Sequence, residues 1–132
     1  MNNIYGSKTA IITGSSRGIG AATALYFAKN NYNVVINYVN SKEQAEKLST
    51  ELESKYNIKT LVIKCDISKE DEVLNMLQLT KETFGTIDIL INNAGVCQLE
   101  KFENMDDELR DFHFDINING TWNVTKAALP YM

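Results

Sequence analysis

The chain has 132 residues, 44% of them hydrophobic and 23% charged, and carries a net charge of −4. This is ordinary globular sequence for one domain, and the acidic balance argues against a nucleic-acid or anionic-membrane surface, both of which need basic patches. No apolar run approaches the ~20 residues that span a bilayer. The opening MNNIYGSKTAIITG lacks the basic and long apolar segments of a secretion signal, and Cys65 and Cys97 form neither a spaced metal cluster nor a disulfide framework. A cytoplasmic, reducing setting is expected, with no metal, membrane or nucleic-acid partner.

Along the chain, short β-rich runs alternate with longer amphipathic stretches. KTAIIT (8–13) reads as a buried strand, followed by the alanine-rich helix SRGIGAATALYFAKN, which can pack closely on a sheet. VVINY (34–38) is a second strand. From Ser41, the residues Ala45, Leu48, Leu52 and Tyr56 draw one apolar helical stripe. TLVIKC (60–65) is a third strand. Val73, Leu77, Thr80 and Phe84 repeat the helical spacing after DISKEDE, where Ser68 is a candidate N-cap and acidic residues suit the first turn. IDILIN (87–92) is a fourth strand, and helix, as one or two segments, runs from about Asp106 to the end. Strands separated by helices imply βαβ units and a parallel sheet, hence one compact α/β unit.

Two stretches carry chemistry. TGSSRGIG (13–20) joins the first strand to the first helix. Its glycines allow a tight turn and close backbone approach, and the helix N-terminus beyond them offers free N–H groups to a phosphate. The spacing is G-x3-G-x-G, not the commoner G-x-G-x-x-G, and such a turn can also be purely structural. NNAG (92–95) closes the fourth strand, at the sheet end where ligands bind in open parallel folds. Asn92 and Asn93 can tie neighbouring loops together through their amides, while Ala94 and Gly95 leave room for a flat ring or a ribose.

Together these stretches resemble the compact branch of the short-chain dehydrogenase/reductase family, which carries T-G-x-x-x-G-x-G and N-N-A-G. The resemblance covers essentially the whole chain. It implies a Rossmann-like, doubly wound α/β sheet in the strand order 3-2-1-4, and hydride transfer between a nicotinamide cofactor and a carbonyl or alcohol. FGTIDILINNAG and GTWNVTKAALPYM look most like bacterial 3-oxoacyl-[acyl-carrier-protein] reductases. By the same resemblance, the cofactor would contact Thr13, Gly14, Ser15, Ser16, Arg17, Gly18, Ile19 and Gly20 in the turn. Further contacts would come from Asn37, from Asp66 and Ile67 in CDIS, and from Asn93, Ala94 and Gly95. Asp66 would meet the adenine, and Asn117 in DINING would stand at the family's catalytic asparagine. A homo-oligomer, dimer or tetramer, is implied for the family's full-length form.

The nicotinamide type is read from the end of strand two. NAD-preferring sites place a carboxylate there to bond the ribose 2′-hydroxyl, whereas here the segment is NYVNSK, and Glu43 is the first acid beyond it. Arg17, with Lys42 as a second candidate, offers a cation to a 2′-phosphate, so NADP is expected over NAD.

YVNSK (38–42) has the Tyr-x-x-x-Lys spacing of the family's proton-donating pair. On a helix such residues stack, and the lysine lowers the tyrosine pKa. Tyr38, however, ends a strand at the adenosine side of the site, so the match is a coincidence of spelling. No other tyrosine of the 132 residues has a lysine four places on. The expectation is therefore a partial NAD(P)-binding domain over 1–132, truncated before strand five and inactive alone. Two other readings stand beside it: a remnant that only binds nucleotide or pairs with another subunit, and the family's extended branch acting on nucleotide sugars. The second has the weaker case, because that branch uses G-x-x-G-x-x-G. His113 reads as a surface or helix-start residue, Phe112, Phe114 and Trp122 as core or interface aromatics, and Cys97 as a loop residue.

Overall fold

A computed structural model describes residues 8–132; Tyr5 and the rest of the N-terminal segment lie outside the described residues. Four parallel strands, β1 (Lys8–Ile12), β2 (Tyr32–Tyr38), β3 (Thr60–Lys64) and β4 (Ile89–Ile91), form one sheet in the order β3-β2-β1-β4. The helices between them are α1 (Gly18–Lys29), α2 (Lys42–Lys55) and α3 (Glu70–Phe84). This is the α/β, half-Rossmann topology that the sequence predicts.

The period-two alternation of strand side chains divides the core into two layers. Ala10, Ile12, Val34 and Ile36 face one side, where they meet Ala24 and Ala28 of α1 and Ala45 and Leu52 of α2. Ile11, Val35 and Ile63 face the other side, against Val73, Met76, Leu77 and Phe84 of α3. The α2 stripe is as expected, with Ala45 and Leu52 buried and Leu48 and Tyr56 half-buried. Gly20, Ala24 and Ala28 are the buried face of α1, four residues apart, and their small size lets the helix axis lie close to the sheet. Asn31, at φ 67°, supplies the left-handed residue that ends this helix.

Three expectations need correcting. Ser68 does not cap α3: the cap position is Lys69, without a side-chain bond. The Ser68 hydroxyl and N–H both donate to Asp66 Oδ1 instead, at 2.7 and 3.0 Å, a local Asx turn that outcompetes capping. The C-terminal region is neither one regular helix nor two separate ones. α4 (Asp107–Phe114), capped by Asp106 Oδ1 accepting the Leu109 N–H, runs on through a π-helical turn (Asp115–Gly120) into α5 (Thr121–Ala128) and a short 3₁₀ turn (Leu129–Tyr131). The junctions Phe114, Asp115, Gly120 and Thr121 all have right-handed helical φ and ψ, so the axis is continuous and gains one residue in the π turn. Finally, Phe112, Phe114 and Trp122 are not core residues, since they are 41%, 51% and 68% exposed. The inward face of this helix consists instead of Val124 and Ala128, which join the α3 layer.

β4 is the short strand. It pairs with β1 on one side only and has no strand on its other side among the described residues. Its three residues are half-buried: Ile89 and Ile91 pack on one layer and Leu90 on the other.

Candidate functional site

A cleft of about 640 Å³ opens at the C-terminal ends of the strands, the position where open parallel sheets bind ligands. One wall is the glycine turn between β1 and α1. Gly14 (φ 62°) and Gly18 (φ 59°) both sit in the left-handed region, where a side chain is strained. The first N–H of α1 to reach a carbonyl is that of Ala21, on Arg17. The N–H groups of Gly18, Ile19 and Gly20 before it have no hydrogen-bond partner among the described residues, as at any helix start.

The turn is sewn to the end of β4 by side chains. Thr13 Oγ1 accepts the N–H groups of both Asn93 and Ala94, each at 3.0 Å. In return, Asn93 Nδ2 donates to the Thr13 and Gly14 carbonyls at 3.0 and 3.1 Å. Asn92 Nδ2 donates instead to Thr125 Oγ1 on α5, so the two asparagines tie the loop to two different elements, as their amides suggested. The contact is close enough that a Cβ on Gly14 would lie 3.0 Å from Ala94 Cα.

Asn37, at the end of β2, does the same on the other side. Its Oδ1 accepts the Gly14 N–H at 2.9 Å, and its Nδ2 donates to the Cys65 carbonyl at 3.0 Å. Its N–H donates to Ser15 Oγ, and its carbonyl accepts the Ser15 N–H. Asn37 therefore locks the glycine turn to β2 and β3 with an amide that has little left to offer a ligand.

The floor is formed by Cys65, Asp66 and Ile67. The Cys65 thiol is pushed up to about 12 by burial first, and then by the carboxylates of Glu72, Asp66 and Asp71. It is an inert core thiol rather than a nucleophile. Glu72 of α3 accepts the Asp66 N–H at 3.1 Å. Beside the floor, Tyr38, Val39, Asn40 and Ser41 line the cleft without a carboxylate among them. Arg17 lines the same cleft, exposed, and makes no ion pair among the described residues. Lys42 is not a lining residue; it starts α2 and lies 3.9 Å from Glu46, which is a weak surface pair. Tyr38 and Lys42 fall on a strand and on the following helix, so they do not form a stacked pair.

The far wall is Asn93, Ala94, Gly95 and Val96, backed by Phe112 and Ile116. Asn117 lies in the π-helical turn behind it. Its Oδ1 accepts the Val96 N–H and its Nδ2 donates to the Val96 carbonyl, both at 2.8 Å. One turn earlier, His113 Nε2 accepts the Gln98 N–H at 2.9 Å. This histidine is half-buried at the C-terminal end of α4, so it is neither a surface nor a helix-start residue. The same helix is drawn onto the floor by Asn123 Nδ2, which donates to the Ile67 carbonyl, and by Gly120, whose absent side chain leaves room for Ile67.

Of the residues singled out in the sequence, Gly14, Ser16, Arg17, Gly18, Ile19, Asn37, Asp66, Ile67, Asn93, Ala94 and Gly95 line the cleft. Thr13, Ser15 and Gly20 lie buried beneath its surface and shape it, while Asn117 stands behind the wall. Tyr38 to Ser41 line the cleft in the segment the sequence put at the adenosine side, while sequence reasoning did not name Cys65, Val96, Phe112 or Ile116 for the site. Phe112 and Ile116 carried a signal, since their four-residue spacing puts both on one helix face.

A family model described as short chain dehydrogenase matches residues 8–132. The chain belongs to that family. Its members are NAD(P)-dependent oxidoreductases. Oxidoreductase UcpA of Salmonella typhimurium is 46% identical over 95% of this chain and 46% of its own length. The 3-oxoacyl-[acyl-carrier-protein] reductase FabG of Staphylococcus epidermidis is 36% identical over 96% of this chain and 51% of its own. A Burkholderia cenocepacia short chain dehydrogenase, solved in complex with NADP, superposes with a TM-score of 0.92 at 30% identity, covering 98% of this chain and 53% of that one. This chain thus spans about half the length of the relatives it matches. The short-chain dehydrogenase cleft also fits an extended dinucleotide on its own geometry. It provides a glycine cradle open at Gly18, where a Cβ would meet nothing within 4 Å, then a row of free N–H groups, and floor and wall residues on either side. Among the described residues, no cluster of three His, Cys, Asp or Glu side chains could hold a metal ion, and no helix is long and apolar enough to cross a membrane.

Proposed function

We propose that this chain forms the cofactor half of an NADP-dependent oxidoreductase. Hydride would pass between the nicotinamide and a carbonyl or alcohol substrate. The observation that carries the NADP preference is the cleft beside the end of β2, where Arg17 has no ion pair among the described residues and Tyr38 to Ser41 present no acid. A 2′-phosphate is attracted there, while the carboxylate that would bond a free 2′-hydroxyl is missing.

The residues divide the work by position. The N–H groups at the start of α1, with Gly14 and Gly18 giving access, suit the pyrophosphate. Asp66, with Ile67 beside it, would meet the adenine, and Ala94 and Gly95 would leave room for a flat ring or a ribose. The nicotinamide supplies the hydride when bound. Asn117 contributes position rather than a proton in this arrangement, because both ends of its amide are taken by Val96. Among the described residues no helix carries a tyrosine with a lysine four places on, so this chain alone is expected to bind nucleotide and not to turn over. Resemblance to the Staphylococcus reductase supports a 3-oxoacyl-[acyl-carrier-protein] substrate as the specific candidate. The exposed apolar face at Phe114, Ile118 and Trp122 supports a homo-oligomer as the assembled form.

A second reading, a nucleotide-binding or subunit-pairing remnant without turnover, is favoured by the one-sided strand β4. Equilibrium titration with NADPH and NADH tests the first reading. NADPH should bind at least about tenfold more tightly, as one charge-assisted phosphate contact implies, and Arg17→Ala should remove most of that preference. Equal affinity for the two cofactors in the unmodified chain would reject the NADP assignment.

A further inference from the structure

The single histidine of the chain bridges its own helix and a neighbouring loop. His113 Nδ1 lies 2.8 Å from the Leu109 carbonyl oxygen, and Nε2 lies 2.9 Å from the Gln98 backbone nitrogen. A carbonyl can only accept, so Nδ1 carries the hydrogen. A backbone N–H can only donate, so Nε2 is the acceptor aimed at the loop.

What that bond holds matters to the cleft. The loop after β4 leaves the sheet at Asn92 and passes Val96, a lining residue. Three bonds anchor the backbone of residues 95–99 among the described residues: two from Asn117 to Val96 and one from His113 to Gln98. His113 and Asn117 are four residues apart, so they stack on the same face of the helix and grip successive parts of one strip. Beyond the strip, Leu99 is 89% exposed and gives no packing to replace a lost anchor.

We propose that His113 is a positioning residue for the cleft. Its ring, by accepting the Gln98 N–H, fixes the strip from Val96 to Leu99. The consequence for nucleotide affinity rests on the function proposed above; the clamp itself does not.

The test compares, at pH 8, the unmodified protein with His113→Gln, whose amide oxygen also accepts, and with His113→Leu, which has no acceptor. Hydrogen exchange at the Gln98 amide reads the clamp directly. Protection should be roughly fivefold to tenfold lower in His113→Leu than in the unmodified protein, the size of one neutral hydrogen bond. His113→Gln should keep most of it. NADPH affinity should follow the same order. Equal Gln98 protection in the unmodified protein and His113→Leu would overturn the clamp. If Gln98 behaves as described while no form binds NADPH, the clamp stands and the nucleotide function is what fails.

Discussion

Replacing Gly20 by alanine puts a single methyl group into the tightest point of the molecule. A Cβ there would lie 2.3 Å from the Gly14 carbonyl oxygen, 2.6 Å from Asn93 Nδ2 and 2.8 Å from Ser15 Cα. Two of these three are backbone atoms and the third is an amide engaged in two hydrogen bonds, so no flexible side chain can swing away. Overpacking usually costs about 1–3 kcal/mol, and rigid neighbours place this case at the upper end. Displacing Asn93 weakens one of its bonds, worth about 1 kcal/mol. Alanine's better helix propensity offsets at most about 1 kcal/mol. The net loss is about 3 kcal/mol, a large share of the ~5–15 kcal/mol typical of a domain. In urea unfolding the midpoint should drop by roughly 1–3 M, given slopes of about 1–3 kcal/mol/M. Gly85→Ala is the control, because it sits at φ 78° with nothing within 4 Å and should cost only about 1–2 kcal/mol of left-handed strain. A Gly20→Ala protein within about 0.5 kcal/mol of the unmodified one, on the scale of ordinary surface substitutions, would show that the turn yields, and the account of a rigid cradle would be wrong.

Three further outcomes follow from the site. Thr13→Val removes the acceptor of the Asn93 and Ala94 N–H groups and should destabilise by about 2–6 kcal/mol, at about 1–3 kcal/mol per stranded donor; Thr13→Ser, which keeps the oxygen, should lose under half of that in the same denaturation assay. With a thiol reagent at pH 8, only Cys97, which is exposed, should react in the folded state, and Cys65 should appear only on unfolding. The Cys65 thiol is raised from 9.0 to about 12 in the folded protein, so the native state keeps a proton that the unfolded chain sheds. Its contribution to stability is intact below about pH 9 and is lost as pH rises from there toward 12, with a slope of up to ~1.4 kcal/mol per pH unit. Alkaline unfolding of Cys65→Ala should lack that component, and an unchanged alkaline slope would refute the assignment.

The strands were legible because β-branched runs with period-two alternation bury both faces of a parallel sheet, and the α3 stripe because Val73, Leu77, Thr80 and Phe84 all face inward. The glycine turn and NNAG were legible because backbone conformation and close approach dictate those residues. Three things were not. Asn37 was named as a cofactor contact, but the bonds of its amide to Gly14 and Cys65, partners 23 and 28 residues away, are something no local pattern reveals. The extra residue of the π-helical turn leaves no mark in DINING, where Asn-Gly reads as a break; Gly120 stays helical because Ile67 fills the space over it. His113 gave no signal because its role is set by a loop 15 residues earlier.

The stitching between Thr13 and Asn93 also bears on the order in which the molecule assembles. The glycine turn looks like a local motif, but the bonds that complete it join residues 80 positions apart in the chain. Closing so long a loop costs entropy before any bond is gained, and such contacts form late. The neighbouring β1–β2 pair spans far less chain and can form first. The cradle should therefore be absent from the transition state for folding. Substitutions at Thr13 or Asn93 should then hasten unfolding while leaving the folding rate nearly untouched, so the binding cleft is the last part to be made and the first to open.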